Sequence, residues 1–212
     1  MEQDLKIKVG ISIGDPNGIG IEVILKIFEQ KELFDFFTPI LYGNMKLISF
    51  QKRHFNLKTS LSPFKKGDSL NVVQINVVDV WSNPFETTFG ESTPEGGVHA
   101  LKSLEASTKA LKNGEVDVLV TGPIDKHNIQ SGTFKFPGHT DYLANELAGK
   151  SLMFMISDGL KIGLLTDHVA VSKVTDLITK ELIEEKVFLM MESLKKDFGI
   201  SKPKIGVLGV NP

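Results

Sequence analysis

Polar and apolar residues alternate from Lys6 to Ile13 and end in β-branched types, which predicts a strand. Gly14-Asp15-Pro16-Asn17-Gly18 is turn chemistry, since Gly and Asn tolerate positive φ and Pro fixes φ. Ile21, Ile24, Leu25 and Phe28 then recur at helical spacing. Pro39 to Gly43 is a short apolar run and a second predicted strand, and Asn44 can cap a following helix with Leu47 and Ile48 facing inward. The stretch from Asn56 to Ser69 is weakly periodic and reads as loop, and Asn71 to Val80, rich in Val and Ile, as strand. Thr93-Pro94-Glu95 combines a capping hydroxyl, a Pro for the first helical position and an early acid. The helix it starts has a face of Leu101, Leu104, Thr108 and Leu111, and Asn113-Gly114 stops it.

Val116 to Val120 is a buried-strand run closed by Thr121-Gly122-Pro123. A loop and a short helix are expected up to Gly138-His139-Thr140, then a helical stretch with Leu143, Leu147 and Ala148. Ser151 to Ile156 and Leu160 to Leu165 read as two strands of a hairpin around Ser157-Asp158-Gly159. Thr179 to Phe198 is the longest predicted helix, with Leu182, Ile183, Val187, Met190, Met191 and Leu194 on one side, and Lys204 to Val210 reads as a last strand. Strands alternating with helices predict an α/β fold, a mostly parallel sheet with helices on both faces, made mixed by the hairpin. Residues 1–212 are expected to form a single α/β unit, with a change of organisation near 121–140. A chain ending on an apolar strand and a turn Pro carries the expectation of truncation.

Composition narrows the chemistry. Of 212 residues 41% are hydrophobic and 24% charged, an ordinary globular balance, and the formal net charge of −2 implies no general attraction to nucleic acid or anionic membrane. There is no cysteine, so disulfides, thiolate nucleophiles and thiolate-bound zinc are excluded, and any metal must use His, carboxylates, carbonyls or water. The charged start at Glu2, Asp4, Lys6 and Lys8 lacks the apolar core of a signal peptide, so the expected location is the cytoplasm.

Four polar constellations punctuate the pattern. Gly14 to Gly20 sits between a strand and a helix, where free backbone N–H groups favour anions, but it is neither a dinucleotide fingerprint nor a P-loop. Thr121-Gly122-Pro123-Ile124-Asp125-Lys126 follows a buried strand, and Lys126 can neutralise a phosphate or tune a proton transfer. Gly138-His139-Thr140-Asp141 can hold a polar ligand close to backbone, or Thr140 or Asp141 can cap the next helix. Thr166-Asp167-His168 interrupts apolar neighbours, making His168 a candidate metal ligand with Asp167 orienting it or binding metal itself. His54, His99 and His127 have no supporting partners in sequence and read as structural.

In this order the constellations resemble the 4-hydroxythreonine-4-phosphate dehydrogenase family. Its members carry Gly-Asp/Glu-Pro-x-Gly-Ile-Gly, matched by Gly14 to Gly20, and Thr-Gly-Pro-x-x-Lys, matched by Thr121 to Lys126. They continue with Gly-His-Thr-Glu, matched by Gly138 to Asp141 with Asp in the last place, and Thr-Thr-His, matched by Thr166-Asp167-His168. A strand ending in Asn-Pro-His comes next, of which Asn211-Pro212 is present.

The resemblance implies an isocitrate/isopropylmalate dehydrogenase-like fold and a homodimer with active sites at the subunit interface. It implies NAD-dependent oxidation of 4-phosphooxy-L-threonine and loss of CO2, giving 3-amino-2-oxopropyl phosphate for pyridoxal 5'-phosphate (vitamin B6) synthesis. A divalent metal, one of Zn, Mg, Mn or Co, would polarise the reacting oxygen. By the family's pattern His139 and Thr140 bind substrate and His168 binds metal, while Lys126 and Asp15 are candidate catalytic residues. Cofactor-binding residues are left unassigned. The family's other metal ligands are His residues beyond Pro212, so the 212-residue chain is expected to be inactive alone.

Three rival readings remain. One is a paralogous dehydrogenase of a phosphorylated threonate or erythronate. A non-catalytic fragment that binds a phosphorylated ligand is another. The last is a phosphate acyltransferase of similar fold, against which the Thr-Asp-His motif argues.

Overall fold

The structure is a computed structural model and describes residues 6–131 and 134–209. Asn211-Pro212 lies outside the described residues. Five strands form one parallel sheet: β1 (Ile7–Ser12), β2 (Phe37–Gly43), β3 (Leu61–Pro63), β4 (Ile75–Asp79) and β5 (Val118–Thr121), in the order β3-β4-β2-β1-β5. β6 (Phe154–Ser157) and β7 (Leu160–Gly163) pair antiparallel and ladder only with each other. Parallel pairing therefore dominates as expected, and the hairpin forms a separate two-stranded sheet rather than mixing the main one. The contacts also divide the chain after Gly149 into two compact units, 1–149 and 150–212, where the sequence reads as one unit with a change near 121–140.

In the first unit, helices α1 (Gly20–Ile27) and α2 (Met45–His54) share a core with one face of the sheet, while α3 (Pro94–Lys112) serves the other. The alternation along β1 decides this. Val9, Ile11 and Ile13 enter a cluster with Ile21, Leu25, Leu41, Ile48, Ile75 and Val77. Gly10 leaves room on the opposite face for Val116, and a Cβ there would come within 3.0 Å of that side chain. Ser103, fully buried on α3, accepts a hydrogen bond from Ile13 N–H and donates one to the Tyr42 carbonyl. It ties the helix to the carboxyl ends of β1 and β2. Tyr42 is buried, and its hydroxyl is pushed up to about 12 by that burial and by Glu115.

Both predicted caps form. Asn44 Oδ1 accepts from the N–H groups of Lys46 and Leu47, and Thr93 Oγ1 accepts from Gly96 N–H. Other local expectations change. Leu61–Pro63 lies in the stretch read as loop, because three residues closed by a Pro show no alternation, yet they suffice for an edge strand. Residues 126–129 form turns rather than a short helix.

The second unit contains the hairpin, α5 (Val171–Leu177), which the sequence pattern does not reveal, and α6 (Lys180–Lys196), capped by Thr179. α6 packs on the hairpin: a Cβ on Gly163 would lie 3.3 Å from Met190 Sδ, and Lys186 Nζ donates to the Ser151 carbonyl at 2.6 Å. Residues 204–209 form no strand, contrary to expectation. A strand exists only when its backbone pairs, and no described residue ladders with this segment; Leu208 is 91% exposed.

Candidate active site

In an open parallel sheet, ligands bind outside the carboxyl ends of the strands where the strand order reverses. Here that point falls between β1 and β5, since the chain leaves β1 toward β2 on one side and later returns as β5 on the other. The turns that follow these two strands are joined. Gly122 N–H donates to the Ser12 carbonyl at 2.8 Å, and Asp15 N–H donates to the Pro123 carbonyl at 2.9 Å. Gly14 has φ +73°, and a Cβ on it would meet the Pro123 carbonyl oxygen at 2.2 Å, so a side chain is excluded by both conformation and space. From α2, Gln51 Nε2 donates to the Pro16 carbonyl at 2.7 Å.

Asn17 is the hub of this region. It is 2% exposed, its N–H donates to Asp15 Oδ1, and its Nδ2 donates to Thr93 Oγ1. Its Oδ1 accepts from Thr88 N–H, and its carbonyl accepts from Gly90 N–H. The segment 88–93 is thereby held against the turn after β1. Between them and residues 123–125 lies a cavity of about 410 Å3, lined among others by Asp15, Ile19, Glu91, Ser92 and Asp125.

The two aspartates there are pushed apart. Burial raises the Asp15 carboxyl above its ordinary value, against the Asn17 N–H bond, and the nearby Asp125 adds to the rise. Asp125 is held low by the Ser92 hydroxyl and by the N–H groups of Asn128 and His127. The sequence reading of an anion site at the start of α1 meets a correction here: carboxylates, and no cationic side chain, line that crevice.

Lys126 and His139 form the adjoining pair. α4 (His139–Glu146) has Gly138 as its N-cap with no side-chain cap bond, so Thr140 and Asp141 lie within the first turn and neither caps the helix. Lys126 Cε lies 3.8 Å from where a Gly138 Cβ would be. His139 is half-buried, its Nε2 is buried without a hydrogen-bond partner, and burial together with the Lys126 charge lowers its pKa. Thr140 and Lys126 are exposed. Asp15 and Asp125 are thus one electrostatic pair of the first unit, and Lys126 and His139 another.

His168 belongs to the second unit, is exposed and has φ +50°, with exposed Asp167 beside it. Among the described residues, no group of three or more His, Asp or Glu could hold a metal. One imidazole and one carboxylate do not complete a divalent shell. Of the other histidines, His99 is buried, with its ring against Trp81 and Phe85 and its Nδ1 2.8 Å from the Glu95 carbonyl. His54 stacks on Phe89, and His127 lines a second cavity of about 610 Å3 along α3.

Sequence reasoning left Asn17, Ser92 and Thr88 without roles. The Asp-Pro-Asn-Gly turn was visible, but Asn17's partners lie 71 and 76 residues away, and no local pattern points to them.

The sequence pattern of the family described as "Pyridoxal phosphate biosynthetic protein PdxA" matches residues 35–212. The chain belongs to the PdxA family. It is similar, at 38% identity over 100% of its length, to a 4-hydroxythreonine-4-phosphate dehydrogenase of Bacteroides thetaiotaomicron, of which it covers 58%. It is 30% identical to a protein of Clostridium botulinum named as a D-threonate 4-phosphate dehydrogenase, covering 62% of it. The crystal structure of a 4-hydroxythreonine-4-phosphate dehydrogenase from Burkholderia phymatum superposes with a TM-score of 0.86 at 23% identity, over 98% of this chain and 63% of that one. The chain thus spans about three fifths of the length of the curated relatives it matches.

Proposed function

We propose that this PdxA-family chain supplies the substrate-holding part of an NAD-dependent dehydrogenase. That enzyme oxidises the C3 hydroxyl of 4-phosphooxy-L-threonine, and the β-keto acid loses CO2 to give 3-amino-2-oxopropyl phosphate for pyridoxal 5'-phosphate synthesis. The observation that supports the proposal is that the turns after β1 and β5, which bear Asp15 and lead to Lys126, are joined at the sheet switch point, with Lys126 beside the start of α4 that carries His139.

Lys126 stands beside the uncapped start of α4, where free backbone N–H groups and a cation together suit a phosphate or carboxylate. His139, biased toward its neutral form, offers Nε2 as a hydrogen-bond partner to substrate, and the Thr140 hydroxyl lies on the same turn. Asp15, biased toward holding a proton by burial, is the acid–base candidate. In this reading His168 would be one ligand of a divalent metal, which when bound would polarise the reacting oxygen, and the hydride would pass to NAD. Among the described residues, His168 and Asp167 do not by themselves complete the shell of such an ion. Action in the cytoplasm as a homodimer belongs to the same proposal.

A second reading, oxidation of a phosphorylated threonate, is favoured by the similarity to the protein named as a D-threonate 4-phosphate dehydrogenase. Calorimetric titration with 4-phosphooxy-L-threonine tests the site. Binding is expected to weaken roughly ten-fold or more in Lys126→Ala and in His139→Ala, the loss of a charge-assisted hydrogen bond. Unchanged affinity in both variants would overturn the assignment. Comparing NADH formation from the two phosphorylated acids by the full-length enzyme separates the readings.

A further inference from the structure

Lys126 is exposed on a loop, yet its side chain reaches the start of α4, with Cε 3.8 Å from where a Gly138 Cβ would be. A Lys has a long flexible stem, so the reach of its ammonium is set first by how its backbone is held. Two anchors bracket the loop. Ile129 N–H donates to the Asp125 carbonyl at 3.1 Å, and Ile129, 2% exposed, is buried in one cluster with Phe134 and Tyr142. Further along, Phe136 sets its ring edge-on to Tyr142 of α4, with centroids 5.6 Å apart.

Gln130 joins the two anchors. Its Nε2 donates to the Phe136 carbonyl at 2.9 Å and to the Lys126 carbonyl at 3.3 Å. One amide nitrogen carries two N–H donors, so a single group ties the Lys126 peptide to the segment leading into Gly138 and His139. The Asp125 carboxylate also braces this turn, but its partners are His127 and Asn128 within the turn and Ser92. Gln130 itself is exposed and uncharged, so replacing it leaves the buried cluster and the charge balance in place.

We propose that Gln130 is a positioning residue of the site, its amide holding the Lys126 ammonium beside the start of α4 and His139, where the anionic end of the substrate binds. The ligand part of this inference rests on the proposed function, whereas the geometry stands without it. A cation held in place before ligand arrives has less freedom to lose on binding. The pKa of half-buried His139, lowered by burial and then by the Lys126 charge, agrees with a lysine kept close to the ring.

The test follows the His139 ring of the chain by NMR across pH, in the wild type, Gln130→Met, Lys126→Met and the double variant. Met is similar in size to Gln and donates no hydrogen bond. Freeing Lys126 takes its charge from beside the ring, so Gln130→Met is expected to raise the His139 pKa, and Lys126→Met to raise it at least as far. Adding Gln130→Met to Lys126→Met is expected to change nothing further. No rise in Gln130→Met overturns the proposal. So does an equal rise with and without Lys126, which would mean that Gln130 acts on the ring by excluding water and not through the lysine. In calorimetric titration with 4-phosphooxy-L-threonine, Gln130→Met is expected to bind roughly two- to ten-fold more weakly than the wild type, and unchanged affinity overturns the positioning role. If the wild type does not bind this compound, the proposed function falls, while the His139 titrations still decide whether Gln130 positions Lys126.

Discussion

The turn after β1 and the segment after β7 both follow a strand and both carry site candidates, yet they are built differently. After β1, Gly14 is fitted under the Pro123 carbonyl, Pro16 is held by Gln51, and Asn17 uses its backbone and side chain to gather residues 88–93. After β7, Asp167 and His168 are exposed, and their side chains make no hydrogen bond or ion pair with the described residues. The first is a preorganised site whose geometry comes from the fold. The second offers candidate ligands that no hydrogen bond or ion pair among the described residues orients.

Substitutions can break this contrast. The largest effect is expected at Gly14. Gly14→Ala forces a Cβ to 2.2 Å from a carbonyl oxygen at positive φ, and about 3 kcal/mol or more of stability should be lost in denaturant titration. Gly159→Ala, in the hairpin turn where nothing lies within 4 Å of the new atom, should cost under about 0.5 kcal/mol. Next comes Asn17→Ala, expected to cost about 2–3 kcal/mol by leaving the Thr88 N–H unpaired and releasing Thr93. Its counterpart His168→Ala should stay within about 0.5 kcal/mol when no metal is added. Equal costs for these two would dissolve the contrast.

Smaller effects sharpen it through pH. The folded-state value of Asp15 is raised, so its contribution to stability is present below the ordinary 3.8 and is lost as pH rises through the folded value. Asp15→Asn should therefore stabilise the chain near neutral pH, on the order of 0.5–1 kcal/mol, with the gain vanishing in acid. A destabilised Asp15→Asn at neutral pH would mean that the carboxylate serves structure. His139 has the opposite sign. Its folded value is lowered, so stability is kept above the ordinary 6.5 and lost as pH falls below it toward the folded value. His139→Gln should flatten that acid-side decline, the smallest of these changes, read from Tm measured across pH.

Periodicity was enough to read the layered fold of the first unit. β1, β2 and β4 are largely buried, and the caps at Asn44 and Thr93 are local side-chain bonds. β5, read as a buried run, buries Val116 before it but leaves Val118 and Val120 exposed, because it pairs with β1 alone among the described strands. Leu61–Pro63 and Val171–Leu177 escaped because one is too short for alternation and the other buries nothing. Residues 204–209 read as a strand because their apolar pattern is strand-like, whereas strand formation depends on a partner that no local pattern reports. The candidate residues Asp15, Lys126 and His139 of the first unit, and His168 of the second, were visible as motifs. Asn17 was not, since its importance lies in contacts made across seventy or more residues.

The central claim is that ligand binds at the switch point between β1 and β5. It is tested most directly by mapping backbone amide shifts of the labelled chain during titration with 4-phosphooxy-L-threonine. Saturating shifts at residues 15–19, 90–92, 124–126 and 138–141 are expected. Shifts confined to the cavity along α3, at residues 97–105 and 127–131, with the Asp15 turn silent, would contradict it.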